Sequence, residues 1–321
     1  MPRVVHTGQA LVDVVVDVPG LPPRGGNVMA TSYQRYAGGA VNVLVAAARS
    51  GAEAVHAGAH GAGPNGDLVR ATLAREDVTV TGELVADLDT GICFVMVDGE
   101  AQRTFVTTQG AERRITVAGL GAAGARPGDL VCVSGYTLVG PSREPLLRWL
   151  TSFTADQRPC VVVDPGAPFA ALPADVRTTV LGVTAVWTGN AEEAAHLSGV
   201  GDPDAAVGAV AGLLGPAAVA VVRDGPRGCW VHEQGRTTYV PGYPQEAVDT
   251  NGAGDAHTGV LLAGRARGLG WVEAARRANA AGAIKVTRRG PATAPRREEV
   301  DAFLAQVDDG GVAGSGPPPR S

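Results

Sequence analysis

In the second half of the chain, short apolar runs alternate with helical segments, and this alternation restricts the fold more than any other feature. The runs Leu130–Val133, Cys160–Val163, Val183–Trp187 and Val219–Val222 are almost entirely apolar, and a helical pattern over Pro145–Phe153 separates the first two. Strands that are buried on both faces have this appearance, and their alternation with helices is typical of a parallel sheet. The pattern therefore predicts an α/β fold with a mainly parallel sheet and helices on both of its faces.

Polar and glycine residues directly follow these apolar runs. In open parallel sheets, ligands bind beyond the carboxyl ends of the strands. We therefore expect a binding site at one edge of the predicted sheet. The residues that stand at these strand ends are Ser134, Gly135, Tyr136, Asp164, Asn190, Arg223, Asp224 and Gly225.

The stretch from Val248 to Asp255 reads Val-Asp-Thr-Asn-Gly-Ala-Gly-Asp and leads into a segment with helical spacing. The small residues Gly252, Ala253 and Gly254 let the backbone approach an anion with free N–H groups, at the positive end of a helix dipole. Asp255 would repel a phosphate bound there. We therefore expect Asp255 to take a proton from a hydroxyl that attacks phosphorus. The alternative interpretation is a glycine-rich turn with Asp255 as a helix cap.

Two features near the N-terminus predict contacts with a ligand. Residues 4–18 have the pattern of a strand, a turn and a second strand, and Asp13 interrupts the apolar residues of the second. Asp13 is therefore exposed in a cleft, paired, or simply facing solvent. Gly38 and Gly39 precede a helix that contains Asn42 and extends to residue 49, so the backbone can approach a ligand there as well.

A small second sheet is predicted from three further segments. Residues 28–36 alternate loosely, as an edge strand does. Residues 91–97 and 103–108 form two strands around a tight turn at 98–100. We expect these strands to lie apart from the main core.

The complete string Asp-Thr-Asn-Gly-Ala-Gly-Asp at 249–255 resembles the signature of the ribokinase-like (PfkB) carbohydrate kinases, and Asn190-Ala-Glu-Glu193 resembles their second motif. The resemblance extends over residues 4–305, and it is strongest to bacterial sugar kinases of unassigned substrate. It implies a ribokinase-like three-layer sandwich as a single domain over 1–308, with lid strands at about 12–36 and 88–110. The glycine- and proline-rich residues 309–321 are predicted to be disordered.

The resemblance implies a sugar site beneath the lid. It favours Asp13 over Asp17 as the carboxylate that binds sugar hydroxyls. The glycine pair lies one residue later than is usual in the family when it is counted from Asn42, which leaves the role of Gly39 open. The residues implied in sugar binding are Asp13, Gly38, Gly39, Asn42, Tyr136 and Arg103.

The resemblance also implies that the second substrate is ATP with Mg²⁺. Asn190 and Glu193 share one helix face and can hold a hydrated Mg²⁺, although an N-cap with acidic residues in its first turn has the same pattern. Arg223 stands where the family usually has a hydroxyl residue. The resemblance places Gly225, Gly228 and Asn279 at the nucleotide, and it allows a monovalent cation such as K⁺ beside Asp249 and the turn at Gly290.

These expectations together predict ATP-dependent phosphorylation of a sugar hydroxyl, with Asp255 as general base. A nucleoside kinase of the same family and a non-catalytic sugar-binding protein are the alternatives. A Rossmann dehydrogenase would depend on the string Gly61-x-Gly63-x-x-Gly66, which contains Pro64 and follows a poor strand. The sequence contains no Walker A string.

Composition and charge restrict the partners. The net charge is −5 without a basic stripe, so nucleic acid is not an expected partner. No apolar run approaches the length of a membrane span, and the N-terminus lacks a signal-peptide pattern. The four cysteines are scattered in apolar surroundings, as in a reduced cytoplasmic protein. The remaining expectation is a homodimer that forms through the lid.

Overall fold

The computed structural model describes residues 1–100 and 102–310, which form fifteen strands and ten α-helices. Residues 311–321, most of the tail predicted to be disordered, lie outside the described residues. The strands are β1 (Val4–His6), β2 (Ala10–Asp17), β3 (Ser32–Gly39), β4 (Ala54–His56), β5 (His60–Gly61), β6 (Thr79–Val80), β7 (Leu84–Val85), β8 (Ile92–Val97), β9 (Arg103–Thr107), β10 (Leu130–Ser134), β11 (Cys160–Asp164), β12 (Val186–Asn190), β13 (Val219–Arg223), β14 (Gly228–Glu233) and β15 (Arg236–Pro241). The helices are α1 (Ala40–Arg49), α2 (Pro64–Arg75), α3 (Val117–Gly121), α4 (Arg143–Thr151), α5 (Ala174–Val183), α6 (Ala191–Ser198), α7 (Pro203–Gly212), α8 (Ala253–Ala266), α9 (Trp271–Val286) and α10 (Arg297–Asp308).

Nine strands form the central sheet, in the order β15-β14-β13-β12-β11-β10-β1-β4-β6. Within this order, all neighbouring strands from β13 across to β6 pair in parallel. The strands β14 and β15 add an antiparallel hairpin at the other edge. The predicted α/β class with a mainly parallel sheet is confirmed. The sheet extends in both directions from β1, because β4 pairs on one side of it and β10 on the other. Loops diverge at such a reversal of strand order and leave a crevice at the carboxyl ends of the strands.

Helices cover both faces of this sheet, which gives three layers. Alternate residues of β10 show why: Leu130 and Cys132 belong to one buried cluster, and Val131 and Val133 belong to the other. The first cluster contains side chains of α1, α2, α8, α9 and α10, and the second contains those of α3 to α7. The apolar side chains in the middle of these strands are therefore buried on one face of the sheet or the other, as the continuous apolar runs predicted.

Four strands form the separate small sheet, in the order β3-β2-β8-β9. The turn between β8 and β9 is held by the Asp98 carboxylate, which accepts the N–H groups of Glu100 and Gln102. This sheet is the predicted lid. None of the described helices has the length and apolar character needed to cross a lipid bilayer.

Three predicted strands have different bounds in the structure. The edge strand expected at residues 28–36 is β3, which begins at Ser32 and continues to Gly39. The run Val183–Trp187 was expected to be one strand, but Val183 ends α5 and the strand begins at Val186. The Thr184 hydroxyl donates to the Val180 carbonyl, which extends the helical turn. The sequence of residues 78–85 also predicts a single strand, but the structure divides these residues between β6 and β7. The chain at Gly82 passes so close to Gly58 that a Cβ on Gly82 would lie 1.8 Å from the Gly58 carbonyl oxygen.

Candidate active site

The loop before α8 ends in Gly252, which is the N-cap of the helix and has a left-handed conformation with φ of 77°. A Cβ on this residue would lie 2.4 Å from the carbonyl oxygen of Pro291, so only glycine fits. Among the described residues, the N–H groups of Gly252 and Gly254 have no hydrogen-bond acceptor, whereas that of Ala253 donates to the Thr250 carbonyl at 3.2 Å. The helix N-terminus therefore presents free donors to an anion.

Two cavities meet at this helix N-terminus. The first has a volume of about 510 Å³ and is lined by Asp13, Gly39, Asn42, Tyr136 and Asp255 among others. The second has a volume of about 410 Å³, and Ala253 and Gly254 line it. Other residues that line the second cavity are Asn190, Arg223, Gly225, Gly228, His257 and Asn279. The first turn of α8 thus separates a cavity beneath the lid from a cavity at the ends of β12 and β13.

Asp255 faces the cavity beneath the lid. Its Oδ2 accepts a hydrogen bond of 2.8 Å from Nδ2 of Asn42, which lies in α1. Burial raises the pKa of Asp255 to about 6, and Asp164 adds to the increase, while Asn42, Arg223 and Lys285 oppose it. A carboxylate with this pKa is ionised at neutral pH and is a stronger base than an exposed aspartate.

Asp13 lies in β2 on the opposite side of the same cavity and is 8% exposed. Burial raises its pKa to about 7, and the charge of Asp255 adds to this effect. Gly38 allows this position, because a Cβ there would lie 2.4 Å from Oδ2 of Asp13. Gly39 caps α1 with φ of 63°, and a Cβ there would lie 2.4 Å from the carbonyl oxygen of Gln9.

Arg223 is the cation between the two cavities. Its Nη1 donates to the hydroxyl of Thr258 at 2.8 Å and to that of Thr188 at 3.2 Å. The same guanidinium lies 3.4 Å from Oδ2 of Asp164 and 3.9 Å from Oε2 of Glu193. Its positive charge is therefore partly balanced by two carboxylates, and it stands directly below the helix N-terminus, where a Cβ on Gly254 would be 3.6 Å from it.

Asn190 and Glu193 form a capping box at the start of α6. The Asn190 Oδ1 accepts the Glu193 N–H, and the Glu193 Oε2 accepts the Asn190 N–H, both at 2.8 Å. The hydrogen bonds of Asn190 and Glu193 are thus those of the N-cap alternative. Burial and the neighbouring Asp164 raise the pKa of Glu193, so negative charge remains incompletely compensated at this place.

Asp249 fastens the loop before α8 to two other parts of the fold. Its carboxylate accepts Nη2 of Arg103 at 2.6 Å and the N–H of Gly290 at 2.9 Å. Arg103 also donates to the Thr250 hydroxyl at 2.9 Å. The structure thus places Arg103 between lid and loop and does not bring it into the cavity that contains Asp13. The main-chain oxygen of Asp249 accepts Nζ of Lys285 at 2.7 Å.

Asn279 lines the second cavity, but its amide group is already bonded within the protein. Its Nδ2 donates to the carbonyls of Val240 and Pro241, both at 3.0 Å. Its Oδ1 lies 3.1 Å from Nε2 of His257, so that ring nitrogen carries the proton. Burial lowers the pKa of His257 to about 3, and the ring is neutral and packed.

Several residues of the cavity beneath the lid were not predicted. They come from segments far apart in sequence and have no recognisable local pattern. Arg113 donates to the main-chain oxygens of Tyr136 and Val139 at 3.1 and 2.9 Å, and Gln9 donates to that of Tyr136 at 3.1 Å. The additional lining residues include His6, Gln9, Cys93, Phe105, Thr107 and Arg113.

The glycine string at residues 61–66 has no room for a dinucleotide phosphate. The helix α2 begins at Pro64. The Asp89 carboxylate accepts the N–H groups of Asn65 and Gly66, both at 3.0 Å. A carboxylate of the protein itself thus occupies the position that a pyrophosphate would take at this helix N-terminus.

Comparison with known proteins agrees with this geometry. A family profile described as pfkB family carbohydrate kinase matches residues 1–298. The chain belongs to the pfkB family of carbohydrate kinases. Membership confirms the predicted enzyme class, a phosphotransferase with an alcohol group as acceptor.

Individual relatives cover nearly the whole chain. An uncharacterized sugar kinase, YegV of Escherichia coli K12, is 31% identical over 92% of each chain. The structure of ribokinase from Giardia lamblia matches with a TM-score of 0.80 at 23% identity, and covers 95% of this chain and 99% of its own. A double mutant of Vibrio cholerae fructokinase, crystallised in a fructose, ADP and potassium ion bound form, matches with a TM-score of 0.77 at 27% identity. It covers 95% of this chain and 98% of its own. The ribokinase-like fold is therefore confirmed.

Proposed function

We propose that this protein transfers the γ-phosphate of ATP to a hydroxyl group of a sugar, with Asp255 as general base. The observation that carries the proposal is the position of the first turn of α8 between the two cavities. Asp255 and Asn42 face the cavity beneath the lid, and Gly254 and Arg223 face the other. A hydroxyl bound in the first cavity and a phosphate bound from the second would meet at the free N–H groups of this turn.

The reaction is an in-line displacement at phosphorus. The Asp255 carboxylate removes the proton of the sugar hydroxyl as its oxygen forms a bond to the γ-phosphorus. The bond from this phosphorus to the bridging oxygen breaks, and ADP leaves. The free N–H groups of Gly252 and Gly254 stabilise the charge on the transferring group, and Arg223 is near enough to add positive charge. The Ala253 N–H, which the sequence also implied in this role, already donates to the Thr250 carbonyl.

The residues at the start of α6 fit a hydrated Mg²⁺. Mg²⁺ in such sites usually keeps several waters and is bound through one or two carboxylates and the substrate phosphates. Glu193 and Asp164, at the end of β11, supply the carboxylates. Burial raises the pKa of Glu193, and repulsion from Asp164 adds to the increase; a cation would relieve this repulsion. No group of three or more His, Cys, Asp or Glu side chains within the described residues forms a complete metal cage. A bound Mg²⁺ would neutralise phosphate charge.

A sugar fits the cavity beneath the lid better than a nucleoside does. Carboxylate, amide and guanidinium groups surround it, and such groups bind several hydroxyls of one ligand. Tyr33 and Tyr36, the aromatic residues nearest to Asn42 in sequence, do not line it. The nucleoside alternative stays open because Phe105 and the half-exposed Tyr136 do line the cavity and could contact a base.

A substrate panel tests the proposal. Purified protein is incubated with ATP, Mg²⁺ and single pentoses, hexoses or nucleosides. ADP formation is measured, and phosphorylated products are identified by mass spectrometry. We expect at least one sugar to yield a monophosphate. Phosphorylation of nucleosides alone would favour the nucleoside kinase. Sugar binding without any turnover would favour the non-catalytic alternative.

Asp13→Asn should raise the KM for the sugar and leave the KM for ATP unchanged. The buried carboxylate accepts charge-assisted hydrogen bonds from sugar hydroxyls, and losing one such bond weakens binding by about 10- to 100-fold. Initial rates at varied sugar and varied ATP measure both constants. Asp17→Asn is the matched control, because Asp17 lies in the same strand but bonds to Ser32 outside this cavity. Equal effects of the two substitutions would contradict the role of Asp13.

The homodimer through the lid also stays a prediction. Phe94 and Val106 are paired across β8 and β9 and are 37% and 58% exposed. Apolar side chains on one sheet face are a suitable contact for a second copy. Sedimentation of the wild-type protein and of Val106→Asp would test it, since we expect the substitution to favour the monomer.

A further inference from the structure

Lys285 is the only lysine of this chain, in which lysine and arginine together number 27. Its side chain is fully buried in the last turn of α9. An ammonium is a compact point charge, whereas a guanidinium is a broad planar fork that cannot replace it in a tight site. The other residues in that count are all arginine, and at this buried position the chain has the compact ammonium instead.

The ammonium of Lys285 bonds a main-chain oxygen at the start of the loop that leads to α8. Its Nζ donates to the carbonyl of Asp249 at 2.7 Å. The N–H groups of Val248 and Asp249 donate to the carbonyl of Val286 at 2.8 and 3.0 Å. The C-terminus of α9 is thus bonded to the segment that begins the anion-binding loop, and the negative end of the helix dipole favours a cation there.

The charges around this group also favour its ionised form. Asp249 and Asp255 attract the ammonium, and Arg103 repels it. Burial lowers the pKa of Lys285 to about 8, which still leaves the amine mostly protonated at neutral pH. In return, Lys285 lowers the pKa of Asp255. The side chain therefore supplies positive charge to the general base as well as a hydrogen bond to the loop.

The Asp249 carbonyl is also where the sequence predicted a monovalent cation, and the solved fructokinase of Vibrio cholerae is a potassium ion bound form. In this chain the residues do not fit an added ion, because a fixed ammonium already bonds this carbonyl. We infer that Lys285 takes the place of a monovalent cation beside Asp249 and that the kinase works without K⁺. The inference deepens the proposed function and rests on it only for its activity measurements.

Lys285 is then a positioning residue. It holds the peptide that follows Asp249, three residues before Gly252, and so fixes the direction in which the free N–H groups point. A structural lysine of ordinary kind would not be replaceable by a soluble ion. Rescue by K⁺ is therefore the measurement that separates the two roles.

The first experiment compares wild-type kinase rates in KCl, NaCl, NH₄Cl and choline chloride at one ionic strength, which keeps screening constant. We expect the wild-type rates to agree within about twofold, the size of ordinary ionic effects on exposed charges. A wild-type rate that is about tenfold or more higher in K⁺ or NH₄⁺ than in choline would overturn the inference. A difference of that size corresponds to one charge-assisted hydrogen bond.

The second experiment uses Lys285→Ala and Lys285→Met. In choline chloride both variants should lose about 10- to 100-fold in rate, the range for one charge-assisted hydrogen bond. K⁺ or NH₄⁺ should restore most of the rate in Lys285→Ala, which leaves space for an ion, and less in Lys285→Met, which fills it. Arg288→Met, at the same helix end but bonded to Glu299, should show no salt effect. Absence of rescue in the folded Lys285→Ala protein would overturn the inference.

Thermal unfolding without substrates gives a readout that does not depend on catalysis. K⁺ should raise the Tm of Lys285→Ala relative to choline and leave that of the wild type unchanged, because only the variant has a site for the ion. If no sugar is ever phosphorylated but this difference appears, the proposed function fails and the cation replacement stands. Equal Tm shifts in both proteins would overturn the replacement.

Discussion

Asp255→Asn is expected to lower kcat by at least ~100-fold and to leave the KM for the sugar nearly unchanged, in line with the contribution of a general base. Asparagine keeps the shape of the side chain and can still accept the hydrogen bond from Asn42. It cannot accept the proton of the attacking hydroxyl. Single-turnover rates with saturating sugar and ATP would measure the effect on the chemical step alone.

The pH dependence of the rate and of the stability tests the same residue independently. Since the pKa of Asp255 is raised to about 6, wild-type kcat/KM should decrease as the pH falls through 6 and the base becomes protonated. The folded-state pKa lies above the unfolded one, so ionisation of Asp255 lowers the free energy of unfolding. This loss of stability is absent below about pH 4 and is complete above about pH 6. Asp255→Asn should therefore increase the free energy of unfolding at pH 8 by up to about 3 kcal/mol, which appears as a higher Tm. At pH 4 the Tm should change little.

A stable but inactive variant would be hard to explain by misfolding. Asp175→Asn is the control, because Asp175 also lies in the first turn of a helix but is exposed and remote from both cavities. It should change neither the rate nor the Tm at pH 8 by more than a small amount. A normal rate in Asp255→Asn would end the proposed mechanism, and a lowered Tm at pH 8 would show that the carboxylate is structural.

The parts of the site that the sequence predicted are those whose chemistry is local. Residues 249–255 need a left-handed glycine and small neighbours within one turn, and Asn190 with Glu193 needs only a helix start. Asp13 was recognisable because it interrupts an apolar strand. In each case the physical requirement is satisfied by residues a few positions apart.

The contacts that were not predicted join segments far apart in the chain. Arg103 and Asp249 are 146 residues apart, and their ion pair depends on how the lid sheet lies over the loop. Gln9, Arg113 and Tyr136 meet for the same reason, through bonds to main-chain oxygens that any residue could supply. No local pattern encodes such meetings, since they follow from the packing of whole elements.

One element was not predicted, and one boundary was misplaced, where the local pattern is weak. The helix α7 consists of Ala, Gly and Val apart from Pro203 and Asp204, so it has no polar face to give it a period. The end of α5 continues without a break in hydrophobicity into β12, and only the Thr184 hydroxyl marks the boundary. Periodicity cannot place an element whose residues are apolar on all sides.

Arg223→Gln should lower kcat/KM for ATP by about 100-fold, in the range found when one preorganised donor to a transferring group is removed. Arg223 occupies a position where a hydroxyl residue is usual in the family, and it is the cation nearest to the helix N-terminus from the side of the second cavity. Its removal also leaves Asp164 and Glu193 without their common positive neighbour. Initial rates at varied ATP would measure the loss.

The direction of the pH shift separates this role from simple damage to the fold. The guanidinium lowers the pKa of Asp255, so its removal should move the acid limb of the rate profile above pH 6. Arg223→Lys keeps the positive charge but loses the planar guanidinium. The acid limb of its rate profile should therefore stay near pH 6, while only part of the wild-type rate is recovered. A variant that was merely unfolded in part would have a lower rate at every pH, and its acid limb would not move.

Arg227→Gln is the matched control, because Arg227 lies on the same turn, is 57% exposed and pairs with Asp224. Exposed pairs contribute little, so its kcat/KM should remain within about threefold of the wild type. If Arg223→Gln were equally harmless, the cation between the cavities would serve only to neutralise Asp164 and Glu193. The charge on the transferring group would then depend on the helix N-terminus and a bound metal ion, and a hydroxyl residue at position 223 would do as well as arginine.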